Sequence, residues 1–396
     1  MAANPFSTDL DQIFILLRNW LVHFLPVSLR PAAGAVLGVV AIVCVFPGLF
    51  ALTTVFERKG LGRMQNRLGP NRVGPFGFFQ PIADGIKSLT KEDIVPLRAD
   101  AVVHFLAPLV LVVAVFMGFA VLPMGRGMQL VDMDAGLLFF FAIGASTELS
   151  VFMAGWSSRN KYSLLGAMRA VAQMISYEVP LLLSAVSVVM ITGSLSLSQI
   201  VDHQNRYTWG LPHWFIFTPW GLASFVMFAV AATAETNRSP FDLPEGESEL
   251  VAGYFTEYSG FKFALFFLGE YLAMFSISGL GATLFLGGWS APFSFLQIIP
   301  SWIWFFSKVM LSICVLIWLR GTLPRLRQDQ LMNFAWKFVI PFTLLNLVNV
   351  AVWRFLGQGW ARWVVCTAIV VIAYVTMGRI GMRNRKIAPR SYRYAD

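Results

Sequence analysis

The feature that most restricts the fold of this chain is a series of long apolar stretches. A helix needs about 20 mostly apolar residues to cross a bilayer. Such stretches lie near residues 33–56, 101–123, 136–155, 164–192, 215–235, 261–287, 301–320, 338–355 and 361–378. The alternating pattern of a membrane barrel strand is absent, so each stretch is expected to be a helix that satisfies its own backbone. The sequence therefore predicts an all-α polytopic membrane protein with about nine transmembrane helices, in agreement with a hydrophobic fraction of 57%.

Lysine and arginine residues divide unequally between the two sides of the predicted bundle. One set of alternate loops, together with the C-terminal tail, carries 23 of the 30 basic residues, whereas the other side carries 6. Basic residues concentrate in cytoplasmic loops, so we expect the N-terminus outside and the C-terminus in the cytoplasm. The formal net charge of +9 is therefore a topology signal and does not indicate a nucleic-acid partner.

The first 30 residues differ from the rest of the chain. Their apolar run is interrupted by Arg18 and His23, and Asp9 and Asp11 stand where a signal peptide would be positive. We therefore expect an interfacial helix there. The predicted divisions are an N-terminal interfacial segment at 1–30, one transmembrane helical domain at 31–378 with cytoplasmic loops at 57–100 and 235–261, and a basic cytoplasmic tail at 379–396.

The sequence lacks the residue patterns that bind redox metals and nucleotides. Its three cysteines fall within the predicted spans and form no CxxC pair, and no pair of histidines has the spacing of a membrane haem site. P-loop, HExxH and dinucleotide-binding motifs are also absent. No metal site is therefore predicted, and we expect any metal centre or nucleotide that the protein serves to lie on other chains.

The first cytoplasmic segment reads ERKGLGRMQNRLGPNRVGPFGFFQPIADGIKSLTKE and starts at Glu57. Its glycines and prolines predict a loop with constrained turns that carries Arg63, Arg67 and Arg72. Beyond the loop, apolar side chains fall on one helical stripe opposite charged ones, which predicts an amphipathic helix on the cytoplasmic membrane surface. An ordinary inside-positive loop with lipid contacts explains this pattern. A docking platform whose helix covers a cavity also explains it.

The segment AETNRSPFDLPEGESELVAGYFTEYSG, residues 234–260, gathers acids on the side where bases are expected. Asp242 and Glu245 resemble a capping box at a helix start, but capping does not explain the other acids. Closely coupled carboxylates titrate as a group, so the segment is predicted to take up and release protons. A solvated acidic loop that binds a basic partner is the alternative. The acids are Glu235, Asp242, Glu245, Glu247, Glu249 and Glu257, and the one arginine is Arg238.

Ionisable residues also interrupt the predicted spans. At 1.5 Å per residue they lie roughly 12–20 Å from the cytoplasmic ends of their helices. Such groups are costly in a membrane and usually mark ion or proton pathways. A single acid is explained by a structural bond between helices, whereas three acids and a lysine at comparable depths predict a hydrated polar file. The residues are Glu148, Glu178, Glu270 and Lys308.

Together these stretches resemble the quinone-site membrane subunit of respiratory complex I, the proton-pumping NADH:quinone oxidoreductase (the bacterial H subunit, mitochondrial chain 1). The resemblance runs from about residue 35 to about residue 350. The stretches that carry it are the Arg-rich segment from Glu57, GWSSRNKYSLLGAMRAVAQMISYE, the acid-rich segment, FALFFLGEY and RQDQLMNFAWK.

The resemblance implies a subunit that anchors a hydrophilic arm and forms most of a quinone-access tunnel, without a redox centre of its own. Ubiquinone or menaquinone is then the substrate, no cofactor is bound covalently, and flavin and iron–sulfur clusters lie on partner subunits. The implied partners are other complex I membrane subunits, the hydrophilic-arm subunits carrying the terminal iron–sulfur cluster, quinone and lipids. A bacterial cytoplasmic membrane is favoured over a mitochondrial inner membrane.

Residue roles follow from the same resemblance. It assigns a loop that couples quinone chemistry to protons, a buried relay that includes Glu178 and Glu270, and a quinone tunnel with its docking face. Glu148 and Lys308 join the predicted relay on depth and charge alone. The tunnel and docking residues are Glu57, Arg58, Arg63, Arg67, Arg72 and Arg238, and the coupling-loop acids are those of the acid-rich segment.

Two other functions fit parts of the pattern. The membrane anchor of a related energy-converting hydrogenase is similar in sequence and need not bind quinone. A stand-alone proton-coupled transporter explains the buried charges but not the arginine-rich loop. Inverted repeats, which would favour a transporter, are not evident in the sequence.

Overall fold

A computed structural model describes residues 10–208, 210–242, 251–357 and 359–383. Its regular structure is almost entirely helical, with two antiparallel two-residue strands, β1 (Tyr207–Thr208) and β2 (Leu211–Pro212). The helices are α1 (Ile13–His23), α2 (Arg30–Met64), α3 (Gln80–Thr90), α4 (Ala101–Val121), α5 (Gly136–Ser157), α6 (Lys161–Thr192), α7 (Leu197–Gln204), α8 (Pro219–Glu235), α9 (Gly260–Phe285), α10 (Ser301–Thr322), α11 (Gln328–Phe334), α12 (Ile340–Phe355) and α13 (Trp360–Arg383). The prediction of an all-α fold is confirmed.

The predicted spans correspond to helices of suitable length. Within the described ranges, eight helical segments are long and apolar enough to cross a membrane. A π-helical turn, Ala335–Val339, joins α11 to α12, so that these two helices form one of the eight. The fifth predicted span is α8, which is apolar but has only 17 residues. Helix α1 has 11 residues, or about 17 Å, and is too short to cross.

Local capping residues determine where the central helices begin and end. Helix α6 starts after Asn160, whose side chain accepts a hydrogen bond from the Tyr162 N–H, and it stops at Gly193 with φ 72°. Helix α8 starts with a proline after Thr218, whose hydroxyl accepts from the Gly221 N–H at 3.1 Å. These are standard start and stop residues. By fixing the ends of each helix, they determine how far from those ends its acidic residues lie.

The start of the first cytoplasmic loop differs from the prediction. Helix α2 does not end before Glu57 but continues to Met64, so Glu57, Arg58 and Arg63 lie in its last turns. Glycines occur in this part of the helix because the returning loop packs closely against it and leaves no room for side chains. A Cβ added at Gly62 would lie only 3.0 Å from the backbone of Gly69.

The predicted amphipathic helix is present as α3. Its apolar residues Ile82, Ile86 and Leu89 are all more than half exposed, as expected for a face that lies in a membrane surface. On the polar side, Asp84 pairs with Arg58 of α2 at 2.5 Å. Helix α3 also packs against α9, so it covers one end of the bundle.

The core lies between α4, α5, α6, α8 and α9. Helix α5 packs against α4 and α6, and α6 packs against α8 and α12. Small residues allow this close approach, as is common between membrane helices. Ala154, Ala167 and Ala170 are fully buried, and a Cβ at Gly155 would lie 2.3 Å from the Cβ of Ala167. The predicted relay acids occur on these central helices.

Candidate functional site

One carboxylate, Glu57, lies buried in the middle of a charged cluster. Arg238 Nη1 donates to Glu57 Oε1 at 3.1 Å, and the Tyr271 hydroxyl donates to Oε2 at 2.6 Å. Arg320 Nη1 also donates to Oε1. Glu57 is only 3% exposed. Two cations surround one carboxylate, so the cluster has a surplus of positive charge.

Four different elements bring the Glu57 cluster together. Glu57 comes from α2, Tyr271 from α9 and Arg320 from α10. Arg238 follows α8, where Asn237 adopts φ 50° and the Arg238 N–H bonds back to the Thr233 carbonyl at 3.2 Å. The Arg238 guanidinium also lies 4.0 Å from the centroid of the Tyr271 ring, a favourable cation–π distance. The cluster therefore connects four elements at one end of the bundle.

A second cluster consists of carboxylates alone. Glu148 of α5 interacts directly with Glu178 of α6, and both lie within electrostatic reach of Glu235 at the end of α8. Glu148 is 9% exposed, and one oxygen of Glu235 is enclosed without a hydrogen-bond partner among the described residues. Closely placed carboxylates do not all ionise independently, because like charges repel strongly when desolvated. These three acids therefore form one coupled group.

A cavity of about 70 Å³ adjoins the carboxylates. It lies between α4, α5, α6, α8 and α9, and its polar lining includes Glu178, Glu235 and Glu270. A water molecule needs about 10–15 Å³ of such space and several polar partners. The cavity therefore has room for a few water molecules that connect the acids.

Glu270 lies between the two clusters. It lines the cavity beside Glu178 and accepts a hydrogen bond from the Tyr254 hydroxyl at 2.9 Å. It also faces a small polar pocket that contains Arg238, Asp242 and Tyr271. Through Glu270 the carboxylate cluster is continuous with the Glu57 cluster.

The acid-rich segment is only partly represented in these clusters. Glu235 belongs to the carboxylate cluster and Asp242 to the small pocket beside Arg238. Glu257 lies elsewhere, where its Oε1 accepts from Asn160 Nδ2 at 2.6 Å. The remaining acids, Glu245, Glu247 and Glu249, lie outside the described residues.

Aromatic packing holds the segment around Glu257 in place. The Tyr258 ring stacks on His104 with centroids 4.0 Å apart, and its hydroxyl lies 3.3 Å from the hydroxyl of Ser157. Burial raises the pKa of Tyr258 to about 12, so the phenol stays protonated at neutral pH. Asn160, the partner of Glu257, is 18 positions before Glu178, which corresponds to about 27 Å of helix. Glu257 is therefore remote from the carboxylate cluster.

Lys308 is not grouped with the acids, contrary to the expectation from its depth. Its Nζ donates to the carbonyls of Leu286, Gly288 and Ser290 at 2.6, 2.8 and 2.7 Å. These carbonyls follow the C-terminal end of α9, and helix ends leave such groups in need of donors. Glu270 is 16 positions before Leu286, or about 24 Å along the helix. A depth counted along α10 alone does not give the height relative to α9, and Arg320 at the end of α10 already lies beside Glu57, which also bonds to Tyr271. The contacts of α10 therefore place Lys308 at the far end of α9.

The arginines of the first loop form an exposed surface. Arg58 pairs with Asp84, Arg67 Nε donates to Gln65 Oε1 at 2.7 Å, and Arg63 and Arg72 are exposed. The loop itself is compact because Gly77, with φ 74°, lets the chain approach closely. A Cβ there would lie 2.3 Å from the Pro70 carbonyl oxygen. This surface lies at the same end of the bundle as the Glu57 cluster.

Sequence reasoning missed three residues of these clusters. Arg320 counted only as one of many basic residues at helix ends, and Tyr271 and Tyr254 are ordinary aromatic residues of a membrane chain. Tyr271 directly follows the predicted relay acid Glu270 in FALFFLGEY. This adjacency was the one signal in the sequence that could have identified Tyr271. Arg320 becomes visible only when α10 is placed beside α2.

Known proteins match this chain over most of its length. The profile of the family described as NADH dehydrogenase matches residues 37–351. A protein named as the H subunit of NADH-quinone oxidoreductase from Dehalococcoides mccartyi (strain CBDB1) is 52% identical over 295 residues, which cover 74% of this chain and 80% of that protein. The H subunit of Thermomicrobium roseum is 48% identical over 326 residues, covering 79% and 93%, and that of Brevibacillus brevis is 46% identical over 317 residues, covering 80% and 92%.

The matched region contains both clusters and the exposed arginines, whereas α1 and α13 lie outside it. The resemblance inferred from the motifs is thereby confirmed. The chain belongs to the NADH dehydrogenase family, together with bacterial H subunits of NADH-quinone oxidoreductase.

Proposed function

We propose that this chain, which acts as a subunit of an NADH-quinone oxidoreductase, couples quinone reduction to proton movement through its buried carboxylates. One observation carries the proposal. Glu270 connects a cluster of three acids to a buried cluster with surplus positive charge. A change of charge near the Glu57 cluster would therefore reach the acids through Glu270 and a cavity with room for water.

The Glu57 cluster suits the quinone side of this reaction. Quinone takes up electrons and protons on reduction, and negative charge that develops on its oxygens is stabilised by nearby guanidinium groups. Arg238 and Arg320 provide such groups, and Tyr271 provides a protonated hydroxyl beside them. Helix α3 covers this end of the bundle. We place the quinone-access tunnel between α2, α3, α9 and α10, with electrons supplied by an iron–sulfur cluster of a partner subunit.

The carboxylate cluster suits proton transfer. Glu148, Glu178 and Glu235 are coupled, so a proton gained by one changes the affinity of the other two for protons. The adjoining cavity supplies space for waters that carry protons between them. In our proposal, protonation changes pass from Glu235 and Glu270 through Glu178 to Glu148, and from there toward neighbouring membrane subunits.

The exposed arginine surface suits the docking of a hydrophilic arm. Arg63 projects from the last turn of α2, and Arg67 and Arg72 project from the compact loop that follows it. Arginine binds carboxylates with well-defined geometry. This assignment requires that the loop side faces the cytoplasm. We accordingly propose an outside N-terminus and a cytoplasmic C-terminus in a bacterial cytoplasmic membrane.

A Glu178→Gln substitution in the intact complex tests the relay. The amide keeps the size of the side chain but no longer binds and releases a proton, so we expect NADH-driven proton uptake into inverted membrane vesicles to fall at least about tenfold. NADH oxidation with an artificial acceptor, which bypasses the membrane part, should stay at the wild-type level and report assembly. The matched control is Glu92→Gln, because Glu92 is exposed and belongs to neither cluster. Wild-type quinone reduction and pumping in Glu178→Gln would contradict the proposal.

A further inference from the structure

A large apolar cavity lies outside the two clusters. Its volume is about 510 Å³, and it is enclosed by α1, α2, the segment 122–130 and the start of α10. Cavities that hold small ligands have volumes of about 300–1,000 Å³. Arg18 of α1 is the one charged residue in the lining. The cavity therefore offers a long apolar space with a single cation.

Helix α1 is a fixed wall of this cavity. At its start, the Asp11 side chain accepts a hydrogen bond from the Ser301 N–H, and the Phe14 ring meets Trp302 edge-on at 5.3 Å. At its end, Arg30 donates to the carbonyls of Leu25 and His23. The family match begins only at residue 37. The cavity is thus completed by a segment that precedes the matched region.

The surroundings of α1 are apolar and indicate lipid. Leu17, Trp20 and Phe24 are 55%, 60% and 72% exposed, and Val36 and Val40 of α2 are also exposed. Such continuous apolar surface on a membrane chain contacts acyl chains rather than water. Because α1 is too short to cross, it lies within one leaflet. Phospholipid of that leaflet is the apolar compound at highest concentration beside the cavity.

Arg18 supplies charge complementarity to a phosphate group. Among the described residues its guanidinium donates only to the Asn19 side-chain oxygen, at 3.3 and 3.4 Å, and it forms no salt bridge. Asp11 Oδ1 accepts from the Ser301 N–H, and no contact joins Asp11 to Arg18 among the described residues. A guanidinium at a membrane interface binds lipid phosphate well.

We propose that this cavity binds one acyl chain of an anionic phospholipid whose phosphate group is held by Arg18. The chain fills the gap between α1 and α2, and the headgroup lies at the membrane surface of the leaflet that contains α1. The lipid site shares no residue with either cluster.

The test uses the whole NADH-quinone oxidoreductase in nanodiscs that contain photoreactive phosphatidylglycerol. The acyl chain of this probe carries a diazirine, and labelled peptides are identified by mass spectrometry. In wild type we expect labels on peptides of α1 and of residues 37–49, with about a fivefold preference over photoreactive phosphatidylcholine. Arg18→Gln should abolish that preference, because it removes the cation and keeps a polar side chain.

A cavity-filling variant completes the test. Ala41 of α2 lines the cavity, so Ala41→Phe should reduce labelling of these peptides about tenfold. Ala35→Phe adds the same side chain to the same helix outside the lining and should label like wild type. Unchanged labelling in Ala41→Phe would overturn the proposal. It would also be overturned by absence of labelling in wild type, as expected for a partner helix in the cavity, or by labelling with a photoreactive quinone instead.

Discussion

At the scale of single residues, Glu57 is the most strongly held charge in the described part of the chain. Its two oxygens are shared by Arg238, Arg320 and Tyr271, and almost none of its surface reaches solvent. A buried carboxylate is tolerated only when cations and donors replace its hydration. Each partner therefore stabilises the fold as well as tuning the site, and loss of either arginine has a cost that an exposed arginine does not have.

We expect Arg238→Gln to destabilise the chain by about 3–5 kcal/mol, because it leaves a buried carboxylate with one cation fewer. The matched control is Arg58→Gln, whose pair with Asp84 has side chains that are 51% and 36% exposed. An exposed pair of this kind contributes at most about 1 kcal/mol. Thermal unfolding of the purified complex, followed by the accessibility of its cysteines, measures both variants. Equal losses in the two variants would show that Glu57 is not held as described.

At the scale of helices, the distance between α5 and α6 determines whether Glu148 and Glu178 meet. These helices approach closely at Gly155, where a Cβ would lie 2.3 Å from the Ala167 Cβ. Gly155 is seven positions after Glu148, which is two turns away on the same face of α5. Adding one methyl group at the contact therefore moves the two acids apart without changing either of them.

Gly155→Ala should accordingly lower the number of protons pumped per NADH oxidised while both carboxylates remain. Overpacking at such a contact costs about 1–3 kcal/mol, so a lower melting temperature is also expected. Gly136→Ala in the same helix is the control, because a Cβ there would make only an ordinary contact with Leu197 at 3.8 Å. If the Gly155→Ala complex pumped as well as the Gly136→Ala complex, the contact between α5 and α6 would not influence the relay.

The helices could be predicted from the sequence because the length and polarity of each stretch are local properties. All nine predicted spans correspond to helices, and Glu57 and Arg238, both named from motifs, lie in contact. The lateral arrangement of helices is not local, so Arg320 could not be assigned to Glu57. The relative height of two helices is not local either, so the depth of Lys308 along α10 did not show that it lies level with the far end of α9. The glycines near Glu57 suggested a loop. Their role is close packing against the returning chain, which is also a tertiary effect and therefore cannot be read from the sequence.

At the scale of the whole molecule, the central helices are enclosed and the outer ones face their surroundings. The most apolar stretch of α9 is 61% buried, whereas the corresponding stretches of α2 and α13 are 6% and 11% buried. Helices α1 and α13 lie outside the matched region of the family and are located at this periphery. Both clusters lie within the matched region, so peripheral additions leave the proposed coupling route unchanged.

The distribution of basic residues makes a prediction for the whole molecule. In a variant with Cys44, Cys314 and Cys366 replaced by serine, a cysteine at the exposed position Arg72 should react with a membrane-impermeant maleimide in inverted vesicles only. A cysteine at the exposed position Asp134, between α4 and α5, should react in right-side-out vesicles only. The opposite pattern would reverse the proposed orientation and remove the loop arginines from the side of a hydrophilic arm.

The shortness of α8 has a consequence for the surroundings of Glu235 at its end. Its 17 residues span about 25 Å, whereas the hydrocarbon core is about 30 Å thick. A lone helix of this length would produce hydrophobic mismatch and thin the bilayer around it. Here longer helices surround α8, and Thr236 and Arg238 after its end are buried in protein. Helix α8 therefore ends inside protein, and it is protein rather than bilayer that surrounds Glu235 and sets the low-dielectric barrier there.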